Sequence, residues 1–380
     1  MDMTTELLST ENATSDRLEV DIGFAIFLPI FILVTTVMNL GTIIAFWKMP
    51  SLREKPSELL ILNLACSDII TGVFVLPLAS PLYIIPNQWP FGEIGCAIWI
   101  FSVDISLHGT LFALSTISAD RFLLVYLEYP QYIKNVTRKG VYKVIAAGWI
   151  FTLITAVIEM ACWEKAKGLN DVAGGIDYSK ICLSPPRRVR SFALSFFFVL
   201  YVCPVILVCT LSVAFLYQLR LRLKKTTAMT HELKESSNAR GNTATCTSHS
   251  SDTTERSTEV SSAVSSAPNE KPSSQQVATL PNRKTGSEAN VRNRYIKPGI
   301  TLIGLVSAMA ICMLPYIFYV FYSDIAAAHG ECDNCSNPDL IYGLILMQFC
   351  NACLDPFIYV LTRRRVRKYY QTCCKRQSAY

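Results

Sequence analysis

Four ionisable side chains fall within one apolar stretch, FSVDISLHGTLFALSTISADRF at positions 101–122: Asp104, His108, Asp120 and Arg121. An ion placed in hydrocarbon costs about 2.5–3.5 kcal/mol on insertion scales, so such groups need partners or a function. Asp104 and His108 are four residues apart, which puts them on one face of a helix and allows a pair. Three readings of Asp104 stand open. Its carboxylate anchors a cationic ligand, or it pairs with His108 in a unit that responds to pH, since imidazole titrates near neutrality. In the third it bonds a neighbouring helix and never meets ligand. Asp120 and Arg121 are adjacent, so their pairing depends on local geometry at the helix end. Glu159 is a further acid at membrane depth, expected to pair with Arg187 or Arg190. Intramembrane metal hydrolysis is not expected, because only one of the four histidines, His108, lies in an apolar run.

The elements that must hold these groups are read from composition. The 380 residues are 51% hydrophobic and only 17% charged, which is membrane-protein composition. Seven apolar runs are long enough to cross a bilayer core of about 30 Å. They are approximately Ile22–Trp47, Leu59–Ile85, Ile94–Val125, Val141–Trp163, Ser191–Leu219, Pro298–Tyr322 and Leu340–Leu361. The expected fold class is therefore an all-α bundle of seven transmembrane helices followed by a short amphipathic eighth helix.

Charge sets the expected topology, since short cytoplasmic loops collect Lys and Arg. Residues 1–21 hold Asp2, Glu6, Glu11, Asp16, Glu19 and Asp21 against Arg17, which favours an extracellular N-terminus at the plasma membrane. The tail carries Arg363, Arg364, Arg365, Arg367 and Lys368 with no acid, which favours the cytoplasm. No cleavable signal peptide is expected, and the first span serves as its own signal. Residues 22–361 form the receptor-like helical domain, and 362–380 a cytoplasmic helix and tail. Within the domain, about 224–297 is rich in Ser and Thr and poor in aromatics, so it reads as a disordered cytoplasmic loop. Its basic ends suit anionic lipid headgroups or a protein partner.

Cysteines divide by expected side. Cys96, Cys182, Cys332 and Cys335 face an oxidising compartment, where disulfides are the natural reading. Cys373 and Cys374 follow a basic amphipathic stretch and are candidates for palmitoylation. Asn12, in Asn12-Ala13-Thr14, is the expected glycosylation site.

The polar and proline landmarks, in order, are Asn39 in MNLGTI, Asp68 in NLACSD, Asp120-Arg121 in ADRF and Trp149 in AGWIF. Pro204 in VCPVI, Pro315 in CMLP, and Asp355-Pro356 with Tyr359 in DPFIY complete the set. It resembles the rhodopsin-like (class A) G-protein-coupled receptors, with one landmark per helix in the family's order. The resemblance implies signalling rather than catalysis. It implies a sodium-binding, water-lined cluster of Asn39, Asp68, Thr110, Asn351 and Asp355, suited by hard oxygen ligands. It implies a switch of Asp120, Arg121, Asp355, Pro356 and Tyr359 whose arginine meets a heterotrimeric G protein. A disulfide between Cys96 and Cys182 is also implied. The long Ser/Thr loop and short tail imply an inhibitory-class G protein, and receptor kinases and arrestin acting at that loop. No nucleic-acid partner is expected.

Several positions depart from the family pattern. Phe122 stands for the usual tyrosine, Met313 for the toggle tryptophan and Ser212 for the fifth-helix tyrosine. Arg292, Arg294 and Tyr295 occupy the base of the sixth span, where many relatives place an acid that clasps the switch arginine. A weaker lock and ligand-independent signalling are expected.

Pro77, Trp89 in WPFG, Trp99 and the Cys332–Cys335 loop lean towards the amine branch, which includes muscarinic and histamine receptors. The amine-anchoring aspartate of that branch would fall at Val103, and Asp104 is rotated about 100° from it. Trp99, Phe196, Tyr316 and Phe349 offer aromatic faces to a cation, and Gln348 a hydrogen bond. Phe196 and Leu200 stand where catecholamine receptors place serines, so a catecholamine is not expected. The expected ligand is a small cationic molecule, with a neuropeptide as the rival. An opsin is excluded by the absence of lysine from Leu340–Leu361. A transporter would show internal repeats or broken helix pairs, and none is visible.

Overall fold

The structure, a computed structural model, describes residues 3–84, 89–171, 182, 195–244, 292–328 and 338–377. Among these residues every regular element is helical. Helix α1 (Met3–Lys48) leads through the short α2 (Pro50–Arg53) to α3 (Pro56–Ile84). Helix α4 (Gly92–Tyr126) follows, then the short α5 (Tyr129–Asn135) and α6 (Arg138–Asp171). Helix α7 crosses as Ser195–Ala228 and its helical run continues to Ala244. Helices α8 (Lys297–Ala328), α9 (Pro338–Thr362) and α10 (Arg364–Gln377) complete the chain.

Seven of these helices are long and apolar enough to cross a membrane, as the sequence predicts. Proline starts several of them: Pro50 and Pro56 sit in the first turn of α2 and α3, where the missing N–H is no loss. Elsewhere Pro29, Pro81, Pro315 and Pro356 lie inside helices, where each removes a backbone hydrogen bond and bends the axis. Three π-helical turns, Thr71–Val75 in α3, Phe198–Val202 in α7 and Arg292–Ile296 just before α8, occur among the described residues, and such a turn inserts an extra residue and re-aims the side chains beyond it.

The burial pattern is that of a bundle in lipid. Ile26, Leu33, Val213 and Phe318 are exposed, while Thr35, Asn39, Ser67, Asp68, Thr71 and Ser118 are buried. Polar side chains face inward because hydrocarbon offers them no partner. Helix α4 carries the longest buried stripe, from Cys96 to Val125, and with it all four ionisable groups of the 101–122 stretch. Trp149 of α6 ties to α3 by donating from Nε1 to Asn63 Oδ1 at 2.8 Å.

Helix α10 docks against α1: Tyr370 donates to the Met38 carbonyl at 3.2 Å, and Val366 is fully buried. A Cβ at Gly41 would fall 2.5 Å from the Tyr370 hydroxyl, so a side chain there would displace the Tyr370 ring.

Residues Leu219–Arg294 form a unit of their own, described by itself. The helix runs through the expected start of the Ser/Thr-rich loop at 224 and on to Ala244. There the hydroxyls of Thr226 and Thr227 return to carbonyls four residues back, satisfying themselves within the helix. The remainder to 291 lies outside the described residues, as do Cys332, Cys335, Arg187 and Arg190. Helix α1 begins at Met3, so residues 3–21 of the expected N-terminal segment are helical. The side chains of Asn12, Cys373 and Cys374 are not described.

Candidate functional site

Three polar clusters lie along the bundle. The first is near the Cys96–Cys182 disulfide, which ties the segment holding Cys182 to the start of α4. Asp104 is buried at 7% exposure, whereas Val103 beside it is half-buried. Asp104 does not take His108 as its partner. It lies within hydrogen-bonding reach of Glu159 of α6, so two carboxyl groups face each other. Asp104 Oδ2 and Glu159 Oε2 are buried without a hydrogen-bond partner.

One turn along, His108 Nδ1 lies 3.2 Å from the Thr155 hydroxyl, and His108 Nε2 has no partner. Thr155 is four residues before Glu159, so α4 and α6 face each other through two rungs, Asp104–Glu159 and His108–Thr155. The π turn of α7 brings Tyr201 onto this face, its ring edge-on to His108 at 5.2 Å. Phe197 stacks on Tyr201 at 5.1 Å and meets Tyr316 of α8 edge-on at 6.4 Å. Tyr201 lies within electrostatic range of Asp104, Glu159 and Tyr316.

The structure thus joins Asp104, His108 and Tyr316 of the sequence-named ligand residues, and adds Glu159, Thr155 and Tyr201. Trp99 packs on Trp89 at 5.8 Å, holding the turn that starts α4. Phe196 is half-buried on α7, and Gln348 and Phe349 are buried on α9.

The second cluster is at mid-depth. Thr110 donates to Asp68 Oδ1 at 3.5 Å, and Asn351 donates to Asp355 Oδ2 at 2.9 Å. Asn39 spends its amide on the carbonyls of Thr35 and Ala352, at 3.0 and 2.8 Å, and so bridges α1 to α9. A cavity is lined by Asn39, Thr42, Asp68, Asp355, Pro356 and Tyr359. Asp68 Oδ2, Asp355 Oδ1 and Asn351 Oδ1 are buried without partners. These hard oxygen atoms fit a small hard cation.

The third cluster is at the far end of α4. Arg121 binds Asp120 at 2.7 Å, and both are buried. Asp120 also accepts from Tyr132 of α5 at 2.7 Å and from Ser57 of α3 at 3.3 Å. Burial pushes the Tyr132 phenol above its ordinary value, and the Asp120 charge adds to the rise. Tyr359 donates to Glu58 Oε2 at 3.0 Å, and Arg363 binds Glu58 Oε1 at 3.2 Å. Glu58, 4% exposed, is a residue that sequence reasoning missed, because an acid in the first turn after Pro56 looks like an ordinary complement to the helix dipole.

The chain matches the family described as 7 transmembrane receptor (rhodopsin family) over residues 38–359. It is 29% identical to the Allatostatin-A receptor of Bombyx mori, over 45% of this chain and 46% of that one. It is 28% identical to the Muscarinic acetylcholine receptor M3 of Bos taurus, over 50% and 33% of the two chains. It is 27% identical to the D(1A) dopamine receptor of Didelphis virginiana, over 49% and 45%. The matches therefore span half or less of the length of these relatives. With seven membrane-length helices and a family match that runs from α1 to the end of α9, the chain belongs to the rhodopsin family of seven-transmembrane receptors.

Proposed function

We propose that the protein is a plasma-membrane receptor that converts binding of a small extracellular cationic molecule into activation of a heterotrimeric G protein. The observation that carries the ligand class is the Asp104–Glu159 pair. Asp104 is buried and Glu159 half-buried, and the pair keeps two oxygens without hydrogen-bond partners and has no ion-pair partner among the described residues. Polar groups out of water without partners are costly, and a ligand cation that supplies those partners removes that cost. The aromatic rings of Tyr201, Phe197 and Tyr316 border the same place and add face-on attraction for a cation.

Transmission follows as a population shift, in which a ligand biases the bundle toward the arrangement it binds better. The ligand end connects α4 and α6 to α7 and, through Phe197, to Tyr316 and Phe321 of α8. Helix α8 is bent at Pro315, so its two halves can move unequally. Its displacement opens the face around Arg121, whose Nε and Nη2 have no partner, to the G protein. Sodium, if bound, would be held by Asp68, Asn351, Asp355 and Thr110, and it would supply a positive charge between two buried acids. The inhibitory G-protein class, and kinases and arrestin at the Ser/Thr-rich loop, belong to the same reading.

A peptide ligand is the second reading, favoured by the match to a receptor named for allatostatin-A. Screening amines and peptides in a G-protein activation assay separates the two. For a cationic agonist, Asp104→Asn should weaken potency at least about tenfold with surface expression retained, since a hydrogen-bonded charge partner contributes about 1.5–3 kcal/mol. An unchanged dose response removes Asp104 from the ligand site.

A further inference from the structure

The chemistry of the open atoms around Asp104 defines the ligand cation more narrowly than its charge does. Thr155 Oγ1 donates its one hydrogen to the Thr152 carbonyl at 2.9 Å. Toward His108 it therefore only accepts, so His108 Nδ1 carries the hydrogen at the 3.2 Å contact. In the neutral ring Nε2 is then a bare acceptor, buried on a side chain 3% exposed, and it has no partner. Asp104 Oδ2 and Glu159 Oε2 are likewise open acceptors.

The two rungs between α4 and α6 thus present three unpaired acceptors, two from the carboxyl pair and one from the imidazole a turn away. A quaternary ammonium meets none of these acceptors. A cation with several N–H groups meets them.

Resting on the cationic-ligand reading above, we propose that this site selects a cation bearing two or more N–H donors, a primary ammonium or a guanidinium, against a quaternary ammonium. Glu159 and His108 set that selectivity alongside Asp104. Each donor of the ligand meets one acceptor: N–H to Asp104 Oδ2, N–H to Glu159 Oε2, and for a primary ammonium a third N–H to His108 Nε2. Tyr201, edge-on to His108, covers the side towards α7.

The test uses the purified full-length receptor and three probes with the same benzyl ring: benzylamine, benzyldimethylammonium and benzyltrimethylammonium, with three, one and no N–H donors. Apparent affinity is read from the rise in thermal unfolding midpoint with probe concentration. The wild type should bind benzylamine at least about tenfold more tightly than the quaternary probe, with the tertiary probe between. Glu159→Gln and His108→Gln should each shrink that ratio to within about threefold, because each changes an acceptor while keeping a side chain of similar size. Midpoints without probe, and surface expression in cells, show whether the variants fold. For any variant that does not, Glu159→Leu or His108→Leu replaces it.

Equal binding of all three probes overturns the proposal, as does a ratio that survives both substitutions. If Asp104→Asn abolishes binding of every probe while Glu159→Gln and His108→Gln keep the wild-type order, the cationic-ligand reading stands and this inference falls. If no probe shifts the wild-type midpoint, both fall. Acetyl-lysine amide, the same ammonium on a peptide unit, distinguishes the source: binding of it in preference to benzylamine assigns the site to a peptide side chain, and the reverse to a small amine.

Discussion

The acids at the two ends of helix α4 are oppositely served. At the Arg121 end each carboxylate has a cation and hydrogen-bond donors: Asp120 holds Arg121, Tyr132 and Ser57, and Glu58 holds Arg363 and Tyr359. At the disulfide end Asp104 and Glu159 have only each other among the described residues, and each leaves an oxygen open. A satisfied buried network specifies one arrangement, whereas an unsatisfied one favours whatever completes it. Under the proposed function the two ends do different work: the Arg121 end stores a defined state, and the disulfide end takes its missing partners from a ligand.

The largest effect should come from breaking the satisfied end at its cation. Arg121→Ala should abolish ligand-stimulated G-protein activation while surface expression is retained, because no other cation occupies that place on α4. The same variant supplies the baseline for the ligand-independent signalling expected from the missing acid near Arg294. If wild-type cells without ligand signal no more than Arg121→Ala cells, the idea of a weak arginine lock is lost.

A second effect, smaller but still large, concerns Glu58. The Tyr359 hydroxyl and the Arg363 guanidinium share this one carboxylate, and Phe46 stacks on the Tyr359 ring at 6.2 Å. That set restrains the end of α9. Glu58→Gln keeps size and removes charge. It should raise ligand-independent signalling by up to about tenfold, since hydrogen bonds to charged groups contribute about 1.5–3 kcal/mol and 1.4 kcal/mol is a factor of ten. Tyr359→Phe should act in the same direction with a smaller amplitude. A fall in baseline for Glu58→Gln would show that the contact supports the signalling arrangement instead of restraining it.

How legible each end was in the sequence follows the same division. The spans were visible because lipid demands long apolar runs, and Asp120-Arg121 because adjacency makes a local pair. Asp104 was visible as an acid in an apolar run, but its partner was not. Glu159 is 55 positions away in the chain, and the meeting depends on how α4 and α6 pack. The i, i+4 spacing of Asp104 and His108 made a helical pair sterically available, yet each side chain found its partner on α6. Helical spacing gives a shared face and says nothing of what stands opposite. Tyr201 stayed hidden for a related reason, because a π turn shifts the register that a regular helix would give. Glu58 looked like an ordinary first-turn acid until the structure brought Tyr359 and Arg363 onto it.

The smallest effect sharpens the comparison within the satisfied end. Tyr132 joins α5 to Asp120 and also lies 2.6 Å from the Ser57 hydroxyl, so its phenol proton closes a three-residue network. The folded state holds that proton more tightly than the unfolded chain does, first through burial and then through the Asp120 charge. The contribution is therefore fully present below the ordinary tyrosine value of about 10, and it is lost as pH rises from there through the higher folded value. The unfolding midpoint of the wild type should hold no Tyr132-linked slope below about pH 9 and should fall above about pH 10. Tyr132→Phe should lower the midpoint at neutral pH by the equivalent of about 1 kcal/mol and make the alkaline fall shallower. An identical alkaline slope in both proteins would mean that Asp120 is held by Arg121 and Ser57 alone, and that α5 is tied to the bundle by packing and not by this proton.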